Sequence, residues 1–381
     1  MYDFTKNVSF LIGTAMAAAR AFSVLWMKRL REGAATAVLS RRWPGLSRTY
    51  GAVNLDTRSY DRARGGDFSF EKRDSFLAGA PAALAAADKH GPIRRLAVDV
   101  VTENANEIYV FLHCHEYSAD EYDMIADVLS LPVAQRIEEL HVGAAGARCP
   151  VAETHSKFYK LSFGVLPSMA LRVLHITNCT EMLPPPPGKV FPVLAELKLL
   201  GCTMLVGGLQ YMIGTAPRLA ALHLEHTRLT GAVQCAKAKK HRAYKTVERY
   251  RLGSPAIIAI VLAKCNWPES LEGSVELDMP MLQYFRYDGT VHWFSLTSEA
   301  PNMTRADLRF TDDGYSEHLM HEHRKAFWQF VKNFDNAKVL KLELECPIEC
   351  FAIVRKKRQQ ELLAGKLFWN LECLEAARST L

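Results

Sequence analysis

The sequence of 381 residues has little net charge for its length, and it has no long apolar run. Its formal net charge is only +6, and the basic residues are spread along the chain, which gives no reason to expect nucleic-acid binding. The apolar stretches at 8–19 and 21–27 are both shorter than the ~20 residues that a membrane-spanning helix needs. We therefore expect a protein that binds neither nucleic acid nor a membrane.

Motifs typical of common enzyme classes are also missing from the sequence. It contains no glycine-rich phosphate loop, no nucleophile elbow around a serine and no paired histidine motif of a metalloprotease. We expect a protein that is not an enzyme and that needs no cofactor.

A disulfide framework is absent as well, because the nine cysteines are odd in number and irregularly spaced. Such cysteines fit a reducing compartment, so we expect the protein in the cytoplasm, the nucleus or both. An alternative takes residues 10–19 as the apolar part of a secretory signal peptide. Asp3 and Lys6 make a poorly charged start for such a peptide, and a helix packed on the rest of the protein is favoured.

What the sequence does contain is a recurring apolar signature, leucine-x-x-leucine-x-leucine or a near relative. It occurs at residues 137–142, 171–176, 194–199, 219–224, 282–287 and 371–376. The step from Leu174 to Leu197 is 23 residues and that from Leu197 to Leu222 is 25, within the roughly 20–29 residues of leucine-rich repeats. The longer gap after Leu222 requires a degenerate repeat near residues 256–261.

Strand geometry explains the signature, because side chains two residues apart point to the same face of a strand. Stacked repeats would bury these leucines in one continuous core. The sequence therefore predicts an α/β fold, a leucine-rich-repeat solenoid with parallel strands on its concave face. Cys179 and Cys202 follow the last apolar position of their repeats by three residues, where we expect buried structural thiols.

The residues between the inward leucines should point outward, onto the concave face. At the central outward position the repeats carry five potential cations, namely His141, His175, Lys198, His223 and Arg286. We predict that this row binds a protein substrate with an acidic or phosphorylated segment. The alternative is a merely polar surface, with the row neutralised by the flanking Glu196 and Glu225.

Two histidine groups resemble metal-binding motifs, but neither predicts a metal site. His318, His321 and His323 begin a helix whose apolar face runs through Phe327 to Phe334, so His323 is expected to be a packed residue. We expect strands at 93–101 and 108–115 and a helix at 119–130. His113 and His115 would then share one face of the second strand. Third and fourth ligands for them are not evident.

Residues 31–46 resemble the closing part of an F-box as found in plant F-box proteins. The similarity lies in the run Val38-Leu39-Ser40-Arg41-Arg42-Trp43, and the strand-like 51–56 follows it as in that family. Together with the strand at 340–344 and the tail, the resemblance to grass-type F-box and leucine-rich-repeat proteins covers residues 31–381. It implies three segments, an atypical apolar segment (1–30), a partial F-box within a short helical part (31–48) and irregular repeats (49–381).

This resemblance implies a non-catalytic substrate-recognition subunit of an SCF (cullin-RING) ubiquitin ligase. The F-box part would contact a Skp-type adaptor through Val38, Leu39, Trp43 and Leu46, and the repeats would hold the substrate. Apolar residues on a helix also fit a packed core, and Trp43 in particular is expected to pack inside. Residues 1–30 lack the leucine-proline start of an F-box, so the alternative is a ligase-independent interaction module.

Overall fold

The computed structural model divides the chain into two units, Met1–Gly51 and Ala52–Leu381. It describes residues 51–60, 70–89, 91–102, 105–113, 123–146, 159–231, 249–267, 274–311, 320–345 and 372–378. The expected helical F-box part, with Val38, Leu39, Trp43 and Leu46, lies outside the described residues.

Strands dominate the described part of the second unit. In chain order they are β1 (Ala52–Asp56), β2 (Arg95–Thr102), β3 (Glu139–Gly146), β4 (Lys160–Ser162), β5 (Val173–Thr177), β6 (Glu181–Leu183), β7 (Glu196–Leu200), β8 (Thr203–Leu205), β9 (Ala221–Glu225), β10 (Arg228–Thr230), β11 (Arg249–Gly253), β12 (Ala259–Ala263), β13 (Ser274–Asp278), β14 (Tyr284–Gly289), β15 (Phe294–Leu296), β16 (Arg305–Phe310), β17 (Val339–Leu344) and β18 (Cys373–Arg378).

Eleven of these strands form one parallel sheet in the order β1-β2-β3-β5-β7-β9-β12-β14-β16-β17-β18. Spatial order therefore follows chain order, as in a solenoid whose repeats contact only their neighbours. All six windows with the apolar signature contribute a strand to this sheet, and the degenerate repeat contributes β12. The α/β class with a large parallel sheet is confirmed.

The inward side chains of the sheet form a continuous apolar core. In β5, β7 and β9 burial alternates strictly, and Leu174, Leu197 and Leu222 are almost completely inaccessible to solvent. Each such leucine contributes about 1.5–3 kcal/mol relative to an exposed one. The period of two thus fixes which residues remain on the opposite, outer face.

A shared carbonyl marks the start of successive strands. The carbonyl of Arg172 accepts hydrogen bonds from the N–H groups of Ala195 and Glu196, and that of Ala195 accepts from Ala220 and Ala221. The same arrangement recurs at the carbonyls of Arg94, Glu138, Ala220, Ile258, Gln283 and Lys338. It includes the entry to β12, so the degenerate repeat is regular in its backbone although its sequence is not.

A left-handed residue follows the strand in four consecutive repeats. Asn178, Gly201, His226 and Lys264 have φ between 48° and 63°. The next residues, Cys179, Cys202, Thr227 and Cys265, donate side-chain hydrogen bonds to backbone carbonyls, such as the 3.5 Å bond from Cys202 Sγ to Ile176 O. Cys179 and Cys202 are buried, which confirms the prediction of structural thiols.

Helices in the described part are Phe70–Asp88, Ala105–His113, Met124–Ser130, Val206–Thr215 and Met320–Lys332. Short 3-10 turns occur at Thr57–Tyr60 and Ala134–Arg136. The expected apolar face is confirmed at Phe327 and Phe330 of the last helix, and Phe334, which follows the end of that helix, is buried with them. Phe330 packs against Phe294 with ring centroids 4.8 Å apart. The side chain of His323 lies outside the described residues.

The expected strand at 108–115 is wrong, because Ala105–His113 is a helix. Its aromatic and β-branched residues resemble a strand, but Ile108, Phe111 and Leu112 are buried at the spacing of one helical face. His113 ends this helix as a buried residue, and its Nε2 accepts a hydrogen bond from the N–H of Lys160 at 2.9 Å. The expected helix at 119–130 appears as Met124–Ser130, capped by Asp123, whose carboxylate accepts from the N–H of Ala126.

A second, three-stranded parallel sheet has the order β11-β13-β15. Amide side chains satisfy backbone groups on both of its edge strands. Gln210 bonds to the N–H and the carbonyl of Gly253 on β11, and Asn333 bonds to the N–H of Leu296 and the carbonyl of Phe294 on β15. Each amide stands where a further strand would pair.

Candidate binding surface

Strand register places the predicted cations in one row across the outer face of the large sheet. His141, His175, Lys198 and His223 are direct partners on the neighbouring strands β3, β5, β7 and β9. Val261 on β12 follows His223, and Arg286 on β14 follows Val261. We call these six residues the outer row. The sequence placed its cations correctly but did not foresee the apolar residue between His223 and Arg286.

His141, at the start of the outer row, carries no charge at neutral pH. Burial lowers its pKa to about 3, and the nearby positive charges of His175, Arg95 and Lys198 act in the same direction. Its Nδ1 lies 3.6 Å from Oδ1 of Asp99, and its ring meets that of His175 edge to face with centroids 6.5 Å apart. His141 is therefore a neutral, packed imidazole rather than a cation.

Two aspartates beside His141 were not singled out in the sequence. Asp56 on β1 and Asp99 on β2 are register partners, so like charges face each other across the two strands. Burial and the charge of Asp56 raise the pKa of Asp99 to about 6, while Arg58 opposes the shift. Arg58 itself binds both carboxylate oxygens of Asp56. Only the pairing of β1 with β2 reveals this cluster of Asp56, Arg58 and Asp99.

The other two histidines of the outer row are bound to glutamates on the same face. Nε2 of His175 lies 2.9 Å from Oε1 of Glu196, and Nε2 of His223 lies 3.4 Å from Oε2 of Glu225. These hydrogen bonds are the main cause of the lowered pKa of both glutamates. Neutralisation by Glu196 and Glu225, the alternative raised from the sequence, is thus the arrangement that the structure contains.

Lys198 and Arg286 are the members of the outer row that interact with carboxylates only at longer range, Lys198 with Glu196 and Glu225 and Arg286 with Glu343. Within the described ranges, neither makes an ion pair with a carboxylate within 4 Å. The carboxylate nearest in register to Arg286 is Asp307, whose oxygens bind Nε of Arg305 at 2.7 Å and the hydroxyl of Tyr284 at 3.1 Å. Three strand spacings of about 4.8 Å put the two cations about 14 Å apart.

The outer face of β12, between these cations, is made of small apolar residues. Ala259, Val261 and Ala263 face outward, since Ile260 and Leu262 point into the core. Their register partners are Ala221, His223 and Glu225 on β9 and Tyr284, Arg286 and Asp288 on β14, and all of these except the equally small Ala221 are larger. We call the surface over these three small residues the β12 trough. The Tyr284 hydroxyl donates to Asp307 on β16, on the side away from β12, and Ala259 and Val261 are partly exposed whereas Ala263 is buried.

Beyond the trough, charges on the outer face compensate one another. Arg309 lies 3.9 Å from Asp288 and 4.0 Å from Glu343, and it also binds Glu345. Lys341 Nζ lies 2.5 Å from Glu343. This side therefore offers little net charge to a partner.

The described residues contain neither a metal-binding cluster nor a helix that could span a membrane. Among them, no group of three or more histidine, cysteine, aspartate or glutamate residues is arranged to hold a metal ion. None of the described helices is long and apolar enough to cross a bilayer. His318 and the side chains of His321 and His323 fall outside this part of the chain.

Three comparisons with known proteins found no relative. The chain matches no protein-family model, no curated protein and no solved structure.

Proposed function

We propose that this protein recognises protein substrates for an SCF-type (cullin-RING) ubiquitin ligase, with its repeats holding the substrate and residues 31–48 contacting a Skp-type adaptor. The observation that carries the binding role is the outer face of the large parallel sheet, which runs without interruption over eleven strands. The adaptor role rests on the resemblance of residues 31–46 to the closing part of a plant F-box.

The dimensions of the outer face support binding of a protein. Eleven strands about 4.8 Å apart extend over about 50 Å, and each strand presents two or three outward side chains. A standard protein interface buries about 800 Å² on each partner, which a strip of this length and about 15 Å width can supply. The mixture of apolar, polar and charged outward residues is also typical of such interfaces.

A ligase-independent interaction module is the second candidate function. It is favoured by residues 1–30, which contain no proline and none of the leucine-proline start of an F-box. In this version the same outer face binds a protein, and residues 31–48 serve only to pack on the chain. The two candidates differ in adaptor binding alone.

Capture of a purified Skp-type adaptor by the immobilised chain tests the ligase role. We expect retention of the adaptor by the natural chain, and loss of retention in a V38E/L39E double variant. An R41E/R42E variant is the matched control, because it changes two neighbouring residues that are expected to face solvent. If only a chimera with a complete F-box in place of residues 1–48 retains the adaptor, the module interpretation replaces the ligase role.

A further inference from the structure

The β12 trough differs from its surroundings in both size and charge. Val261 lies between His223 and Arg286, so two nitrogen-bearing side chains flank the middle of the trough. At the start of β12, Ala259 lies between Ala221 and Tyr284 and has no charged register partner. The trough therefore has an apolar beginning and a basic middle.

Two exposed hydrophobic side chains come shortly before the strands that form the beginning of the trough. Ile258 immediately precedes β12 and is 39% exposed, and Met281 shortly precedes β14 and is 44% exposed. Large apolar residues of this exposure are few in the described part of the chain, and these two come from adjacent repeats. Removing them from water would favour binding of an apolar side chain.

The positive charge at the middle of the trough is available to a ligand. Arg286 has no ion-pair partner within 4 Å among the described residues, and Asp307 beside it is already engaged by Arg305 and Tyr284. Val261 on the other side is apolar, so it cannot compensate the guanidinium. An anionic group placed over Val261 would gain charge-assisted hydrogen bonds that no described carboxylate makes to Arg286.

The spacing of the two regions matches an extended peptide. Ala259 and Val261 are two residues apart on one strand, and side chains two residues apart on an extended ligand repeat at the same distance of about 6.6 Å. The backbones of β9 and β14 are about 9.6 Å apart on either side of β12, which leaves room for one extended segment. A compact or helical ligand would not repeat its side chains at this interval.

From this geometry we propose that the β12 trough binds an extended segment of a protein partner, with an apolar side chain over Ala259 and an anionic side chain two residues away, over Val261 and beside Arg286. The anion is a carboxylate or a phosphorylated hydroxyl, since both accept the fork of an arginine. The proposal rests on the protein-binding role of the repeats and names the class of segment that they recognise.

Synthetic fluorescent peptides test the proposal on the full chain by fluorescence anisotropy. One peptide carries Leu-Ser-Glu and another Glu-Ser-Leu within the same serine and alanine flanks, because the direction of the bound chain is open. We expect one of them to bind at least about tenfold more tightly than a peptide with leucine and glutamate at adjacent positions. A third peptide with phosphoserine in place of glutamate identifies which anion is preferred. Equal binding of all peptides would overturn the proposal.

Two variants separate the trough from the rest of the outer face. V261W fills the trough and should weaken binding about tenfold, whereas V339W places the same side chain on the outer face of β17 and should leave binding unchanged. R286E should no longer bind the glutamate peptide, and it should bind a peptide that carries lysine in place of the glutamate. This reversal does not depend on packing, so it holds even if V261W destabilises the chain, and its absence would overturn the proposal.

The outcome for the trough is independent of the outcome for the ligase role. Adaptor capture without selective peptide binding removes the trough proposal and leaves the ligase role in place. Selective peptide binding without adaptor capture retains the trough as part of a ligase-independent module.

Discussion

The side-chain amide of Gln210 makes two hydrogen bonds to Gly253, donating to its carbonyl at 3.1 Å and accepting from its N–H at 2.7 Å. Gln210 belongs to the helix Val206–Thr215, and Gly253 ends the edge strand β11. The Gln210 side chain therefore supplies the two backbone hydrogen bonds that a neighbouring strand would make at this strand end.

Replacing Gln210 by leucine should lower the free energy of unfolding by about 1–3 kcal/mol, because it leaves both backbone groups of Gly253 without their partner. Denaturant unfolding followed by circular dichroism measures the change. Q329L is the control, since Gln329 is an exposed residue of another helix, and it should change stability by less than about 0.5 kcal/mol. Equal effects of the two substitutions would show that the amide is not needed.

The buried carboxyl of Asp99 should make the protein less stable as the pH rises. Its pKa in the folded protein is about 6, above the ordinary value of 3.8. Its stabilising contribution is therefore complete below pH 3.8 and is lost as the pH rises through about 6. The loss is about 3 kcal/mol, since each pKa unit corresponds to about 1.4 kcal/mol. In D99N, stability at pH 7 should be higher than in the wild type and similar at pH 4, as measured by denaturant titration.

The imidazole of His141 should produce the opposite pH dependence. Its folded pKa of about 3 lies below the ordinary 6.5, so its contribution is present above pH 6.5 and is lost as the pH falls toward 3. At pH 5 this loss is about 2 kcal/mol. H141Q should flatten the acid side of the stability profile in the same titration. A variant that follows the wild-type curve between pH 6.5 and 4.5 would exclude a buried neutral His141.

The buried thiols of Cys179 and Cys202 should resist alkylation in the folded protein. Cys179 and Cys202 are buried, and burial raises the pKa of Cys179 well above its ordinary value and that of Cys202 to about 12. Because the thiolate is the reactive form, iodoacetamide at about pH 8 should modify the exposed Cys373 well before either of them. Peptide mapping by mass spectrometry measures the order. Modification of all three cysteines at one rate would show that Cys179 and Cys202 become accessible to the reagent under native conditions.

The large sheet could be predicted wherever two bulky apolar residues stand two positions apart. Leu174 and Ile176, or Leu197 and Leu199, leave little choice of face, because a slip by one residue would expose the pair. The strand Arg305–Phe310 was missed, since its first inward residue is only Ala306 and its outward residues are all charged. The position of this strand in the sheet becomes evident only from its backbone hydrogen bonds to β14 and β17. The helix Ala105–His113 was misjudged because burial of one helical face outweighs strand propensity.

The candidate site was predictable in position but not in charge. Counting residues along the repeats was enough to place His141, His175, Lys198 and His223 on adjacent strands. Whether each carries a proton depends on burial and on carboxylates from other repeats, and neither follows from spacing. The isolation of Arg286 likewise depends on Asp307 being held by two other side chains, which only the packed structure reveals.

The shared carbonyl at the start of most strands of the large sheet explains how repeats of very different length fit one sheet. Leu174 and Leu197 are 23 residues apart, whereas Leu96 and Leu140 are 44 apart, yet both pairs are direct register partners. Backbone bonds bring the chain back to the same place whatever lies between the strands. Insertions can therefore accumulate in the connections while the spacing of the outer row is preserved, so new loops and the binding face can evolve separately.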